Sequence, residues 1–182
     1  MGFFRGIAGL FLYIGSLFAP AGETRLDIRA LDLEADNHYL LRTVFEFRWD
    51  DNLTDFVDAG ISITLKYTGI FDRQRQEFYR IIRKPLMQRD FFVVDSMLDG
   101  RVILQNFPNL PLALRYFRQV DWNIDNSAQT AEFTVEIPKA FVPSMEVFID
   151  ISPAFGGRRF SERIRIENIE PTAKSQKERN RR

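Results

Sequence analysis

The segment Ile61–Phe71, ISITLKYTGIF, alternates apolar and polar side chains one residue at a time. Ile61, Ile63, Leu65, Tyr67 and Phe71 share one parity; Ser62, Thr64, Lys66 and Thr68 take the other. A helix would scatter these residues around its axis. A period of two aligns them only in a strand with one face on a core. Tyr39–Trp49 repeats the pattern, with Tyr39, Leu41, Phe45, Phe47 and Trp49 opposite Arg42, Glu46 and Arg48. Chains built from such segments fold as sheets, and antiparallel sheets tolerate a solvated second face.

Further strands are expected along the chain. Thr24–Ala35 alternates with a change of phase, which predicts a bulge or two short strands. Phe91–Asp95 and Arg101–Phe107 flank a turn that ends in Asp99-Gly100. Val120–Ile124 alternates briefly, followed by Ala131–Ile137, Met145–Ile151 and Arg163–Ile169. Pro138 and Pro143 are expected to bound a loop, and Gly156-Gly157 a turn. Two helices are expected between strands. Asp51 or Asn52 caps the first, which carries Leu53, Phe56 and Val57 at helical spacing and stops near Gly60. Asn109 caps the second, which runs to Val120 with Pro111 in its first turn and Leu110, Leu114 and Phe117 as its stripe. Residues 72–90 fit either a helix or a strand, with Pro85 ending either one. The expected fold is mainly β: one antiparallel β-sandwich-like domain over residues 22–170, with one or two short helices. The 18 phenylalanines supply its core.

The two ends differ from the body. Arg5 precedes an uncharged run, residues 6–22, whose strongly apolar part is Ile7–Phe18. That part is shorter than the ~20 residues a spanning helix needs. With Ala19-Pro20-Ala21 as an A-x-A-like cleavage site, residues 1–21 read as a signal peptide. The other readings are an uncleaved membrane anchor made from the whole uncharged run and, after it, a buried cytosolic helix. A signal peptide or an anchor sends the domain out of the cytoplasm, and the expected location is the periplasm or cell surface. At the other end, residues 171–182 carry Lys174, Lys177, Arg179, Arg181 and Arg182 against Glu178 alone. They are expected to be a disordered basic tail, with a weak attraction to anionic surfaces.

The composition excludes several chemistries. There is no cysteine, hence no disulfide, thiolate metal site, thiol nucleophile or lipidated N-terminal Cys. His38 is the single histidine. A two-histidine metal site is therefore impossible, and its place in ADNHY suits a turn or strand edge. Asp50, Asp51, Asn52, Asp55 and Asp58 offer oxygen ligands at the short spacing of a calcium loop, yet the glycine and distal glutamate of such a loop are missing. Helix capping and the helix dipole account for them better. No G-x-S-x-G, P-loop or H-E-x-x-H string occurs, and Gly156-Gly157-Arg158-Arg159 lacks the Lys-Ser/Thr of a phosphate loop. No cofactor is expected. The 25 basic and 25 acidic residues cancel, and with a basic tail the body is mildly acidic, which gives no support to nucleic-acid binding.

One segment stands out for recognition. Arg73, Arg75, Arg80, Arg83, Lys84 and Arg89 crowd together, with Phe78 and Tyr79 interleaved. Arginine with aromatics grips acidic partners; a charged sheet edge that resists aggregation is the plainer explanation. The expected partner-binding set is Arg73, Arg75, Phe78, Tyr79, Arg80, Arg83 and Lys84.

The stretches LTDFVDAGISITLKY (53–67), LPLALRYF (110–117) and EIPKAFVP (136–143) resemble a family of uncharacterised exported bacterial domains over roughly residues 40–150. Where that family has a tryptophan-rich pattern after the Ile61–Phe71 strand, this chain has Phe78-Tyr79. Some members are encoded beside membrane sensor kinases. The resemblance implies no activity, but it makes such a kinase one candidate partner. The expected function is a non-catalytic interaction domain binding another envelope protein. The alternative is a carboxylate-based hydrolase acting on an envelope polymer, its acid pair not identifiable by spacing.

Overall fold

The structure is a computed structural model that describes residues 24–33, 38–125, 127–137, 139–142, 147–155, 157–166 and 169. The expected signal peptide (1–21) and basic tail (171–182) lie outside the described residues. Among the described residues, no helix is long and apolar enough to cross a membrane.

Two antiparallel sheets form the sandwich. The smaller one orders β1 (Arg25–Leu33), β2 (His38–Glu46) and β7 (Gln119–Asp125). The larger one has six strands: β3 (Ile63–Phe71), β4 (Gln74–Arg83), β5 (Phe91–Met97), β6 (Val102–Phe107), β8 (Thr130–Glu136) and β11 (Arg159–Arg165). Their order is β11-β8-β3-β4-β5-β6. A separate ribbon pairs β9 (Ala140–Val142) with β10 (Val147–Ile149). The phase change expected in β1 is a bulge between Ile28 and Ala30.

Helices α1 (Asp51–Asp58) and α2 (Leu110–Arg118) lie where the apolar spacing puts them. Asp50 caps α1, its Oδ1 accepting from the Leu53 amide at 3.0 Å. The cap is one residue earlier than expected, because Asp50 already has the extended backbone a cap requires. Gly60 follows with φ +82°, a left-handed turn that suits glycine. Asn109 caps α2, accepting from the Leu112 amide at 3.1 Å.

Three other expectations need correction or a choice. Residues 72–90 form no helix; Gln74–Arg83 is strand β4, turned back on β3 through Asp72 with φ +48°. Hydrogen bonding along β3 outweighs the helical spacing of Phe78, Ile81 and Ile82. The span expected as a loop after Pro138 contains strand β9. The last strand runs Arg159–Arg165, earlier than expected, because its register on β8 begins directly after the Gly157 turn.

The two sheets meet through aromatic rings. Trp122 of β7, fully buried, lies 5.7 Å from Phe71, 6.0 Å from Phe78 and 5.5 Å from Phe133, all on the larger sheet. Its indole N–H donates to Thr43 Oγ1 at 2.8 Å, so burial leaves no polar atom unmatched there. Gly69 admits this ring: a Cβ built on it would stand 2.8 Å from carbons of both Trp122 and Phe71. Phe45 of β2 packs on Tyr67 of β3 at 5.2 Å. Each such buried side chain stabilises the fold by about 1.5–3 kcal/mol.

The larger sheet is twice as wide as the smaller one, so part of its inner face needs another cover. Helix α2 provides it, packing on β4, β5 and β6. Ala113, Leu114 and Phe117 are its buried positions, and Tyr116 meets Phe107 of β6 at 5.4 Å.

Candidate functional site

Strand β4 decides what the basic segment presents. Its parity divides the segment between the two faces of the sheet. Phe78, Arg80 and Ile82 turn inward; Tyr79, Ile81 and Arg83 turn outward. Phe78 stacks on Tyr67 at 5.4 Å and is core. Arg73 and Arg75 are exposed near the β3–β4 turn, where Arg75 Nε donates to Glu77 at 2.8 Å. Lys84 donates to Asp58 at 2.8 Å and lies 5.0 Å over the Phe91 ring. Of the expected partner-binding set, Arg75, Tyr79 and Arg83 share the exposed outer face, with Arg75 held on Glu77.

Arg80 is only 5% exposed. Its guanidinium forks onto Asp95 of β5, Nε to Oδ1 at 2.6 Å and Nη2 to Oδ2 at 2.8 Å. Nη1 donates to the Tyr116 carbonyl at 2.7 Å and also to the Gln119 carbonyl, both at the C-terminal end of α2. The Tyr116 hydroxyl donates to Asp95 Oδ2 at 3.0 Å, and its ring lies 4.4 Å from the guanidinium carbon. Burial pulls the guanidinium down, but the bonded Asp95 carboxylate more than offsets this, so the net shift is upward and Arg80 stays charged. Burial likewise pushes the Tyr67 and Tyr116 phenols up. Arg80 therefore pins α2 to the sheet and cannot serve as a surface contact.

The outer face of the larger sheet is divided. On the β3–β8–β11 side, charges pair within the face. Lys66 lies 3.8 Å from Glu77 and 3.6 Å from Glu136, and Arg163 donates to Glu132 at 2.9 Å. On the β4–β5–β6 side, the face is mainly apolar, interrupted by Ser96 and Asn106. The register sets Ile81 beside Val94 and Val94 beside Leu104; Tyr79 and Val102 flank Ser96, and Arg83 adjoins Phe92. Tyr79 is 38% exposed, Val102 62% and Leu104 56%. Arg83 is exposed at the border of this patch, with no ion-pair partner among the described residues. Sequence parity marks Phe92, Val94, Val102 and Leu104 as a second apolar row, but their exposure depends on what covers the sheet.

Two grooves lie among the described residues. One, of about 480 Å³, is lined by Arg42, Glu46, Arg115 and Arg118. Arg42 forks onto Asp121 at 2.8 and 3.0 Å, and Arg118 donates to the Phe47 carbonyl at 2.8 Å. The other, also about 480 Å³, lies between Glu77, Phe78, Leu98 and Trp122. Among the described residues, no group of three or more His, Cys, Asp or Glu is placed to hold a metal ion. In the acidic cluster, Asp50 caps α1 and Asp58 pairs with Lys84.

Comparison of the chain with protein-family models, curated proteins and solved structures finds no match, so function is read from the surface itself.

Proposed function

We propose that the protein is a non-catalytic interaction domain, exported to the periplasm or cell surface, which binds another envelope protein through the apolar half of its outer sheet face. The observation that carries this reading is the cluster of Tyr79, Ile81, Phe92, Val94, Val102 and Leu104 on three neighbouring strands, with Ile81, Val94 and Leu104 as its continuous apolar row. An apolar patch of this kind, beside a face whose charges are already paired, is characteristic of protein–protein contact. Arg83 at its border suits a carboxylate on the partner, to which guanidinium bonds in a fork. The partner is thus a protein surface with apolar anchors and an acidic group. The exported segment of a membrane sensor kinase is the example implied by the family resemblance.

Carboxylate chemistry fits this protein less well. Hydrogen bonds to Ser, Thr or Arg neighbours, or to backbone amides, hold Asp72, Asp99, Asp125, Glu132 and Asp150 below the usual carboxylate range. A glycosidase-type general acid needs the opposite shift.

The test is the pair of surface changes Arg83→Glu and Val102→Lys, combined in one chain. Folding should be nearly unchanged, because both positions are exposed. Capture of the partner that the wild type retains from envelope extract should be lost. Unchanged capture by the folded variant overturns the reading.

A further inference from the structure

The edge strands of the two large sheets are not alike. β1 carries Arg25 and Asp27; β7 carries Asp121 and Asp125; β11 carries Arg159, Glu162, Arg163 and Arg165. Charges along an edge discourage pairing with another chain. β6, VILQNF, carries no charge and no proline over Val102–Phe107, and five of its six residues are exposed.

The backbone of β6 has a definite pattern. At the β5–β6 turn, the Met97 amide donates to the Arg101 carbonyl at 2.9 Å, which makes Met97 and Arg101 a bonded pair. Bonded and non-bonded pairs alternate along an antiparallel ladder. Ser96–Val102, Val94–Leu104 and Phe92–Asn106 are therefore the non-bonded pairs. The N–H and C=O groups of Val102, Leu104 and Asn106 consequently point away from β5, toward the open edge. Their side chains lie on the outer face, with the apolar row.

We infer that β6 is the pairing strand of a symmetric homodimer, in which two copies join antiparallel about a two-fold axis at Leu104. This rests on the reading of the outer face as a contact surface and extends it to a second copy of the chain. The occupant follows from the edge itself. An antiparallel two-fold at Leu104 sets Leu104 against Leu104 of the second copy, and Val102 against its Asn106. Each is then a bonded pair, and every outward group from Val102 to Asn106 finds a partner. No like charges are opposed, because the strand has none. On the outer face Leu104 packs against its symmetry mate, with Val94 behind each. Two six-stranded sheets become one continuous sheet, and their apolar patches merge across the axis. The dimer presents a bivalent face to a partner. Bivalent binding raises avidity where the partner's sites can be spanned.

Because the native chain has no cysteine, single cysteines report the geometry directly. In a bonded antiparallel pair the Cα atoms lie about 5.5 Å apart, within the range a disulfide accepts. Under mild oxidation Leu104→Cys should convert to a disulfide-linked dimer. Ser161→Cys, on the charged β11 edge, should remain monomeric at the same concentration. Sedimentation of the purified protein should show a dimer, and Leu104→Lys should sediment as a folded monomer. A monomeric wild type, whose Leu104→Cys form cross-links no faster than Ser161→Cys, overturns the dimer. So does a dimer that survives Leu104→Lys. If Leu104→Lys does not fold, the cysteine pair decides alone. Retained partner capture through Tyr79 and Arg83 by a monomeric protein would remove the dimer and leave the interaction reading standing.

Discussion

Arg80 and Asp95 face each other across β4 and β5 as a forked ion pair, 2.6 and 2.8 Å long, with both residues no more than 5% exposed. Two charges so far from water are costly unless every polar atom is matched. Here the helix carbonyls of Tyr116 and Gln119 and the Tyr116 hydroxyl complete the set. Asp95→Ala leaves the guanidinium buried without its counter-charge. Urea denaturation should show a loss of about 3–5 kcal/mol. The double change Arg80→Met with Asp95→Leu should lose much less. Equal losses would mean that the pair itself contributes the stability.

Gly69 tests the packing between sheets. A methyl group there would overlap carbons of Trp122 and Phe71 at 2.8 Å, and both rings are locked among other rings. Gly69→Ala should cost about 1–3 kcal/mol, the usual range for an overfilled core. Thermal melting of the variant gives the answer, and an unchanged midpoint would mean that the rings can shift.

Asp72 supplies a pH dependence. The Thr130 hydroxyl, then the Gln129 and Thr130 amides, donate to its carboxylate and hold it below its ordinary value. A carboxyl lowered in the folded state adds stability above its unfolded pKa, near 3.9. That stability is lost as the pH falls through the lowered value. Asp72→Asn keeps a residue type that tolerates the φ of +48° but removes the charge. The wild type should be the more stable at neutral pH, and the two should converge in strong acid. A gap that persists in acid would point to a steric cause.

The export reading has its own measurement. N-terminal sequencing of the protein from its host should find a mature chain beginning near Gly22. Intact Met1 in the membrane fraction would support the anchor instead.

Period two made most of the sheet legible. The strands expected over Ile61–Phe71, Tyr39–Trp49 and Ala131–Ile137 are found as Ile63–Phe71, His38–Glu46 and Thr130–Glu136, because one face of each is buried and the other wet. β4 is ambiguous in sequence because Phe78, Ile81 and Ile82 also fit helical spacing, and the strand puts Arg80 on the buried parity, where a charge is unexpected without a partner. The partner was visible in part. Asp95 has the same parity as Phe91 and Val93, just as Arg80 has that of Phe78 and Ile82. Opposite charges on the buried parities of two expected strands signal an internal pair, but only once the strands are known to be neighbours. Clustering in sequence gave the basic segment the look of a single surface, yet the pleat sends alternate residues to opposite faces. The apolar patch was hidden for a related reason. Sequence shows that β6 is uncharged, but only the sheet order makes it an edge.

The central claim is that the apolar half of the outer face is where this protein meets others. Photocrosslinking amino acids placed one at a time at Tyr79, Phe92 and Leu104, and at Lys66, Glu132 and Arg163, test it within the living host. The account predicts discrete protein adducts from the first three positions and none from the ion-paired three. Adducts from Lys66, Glu132 and Arg163, with Tyr79, Phe92 and Leu104 silent, would contradict it.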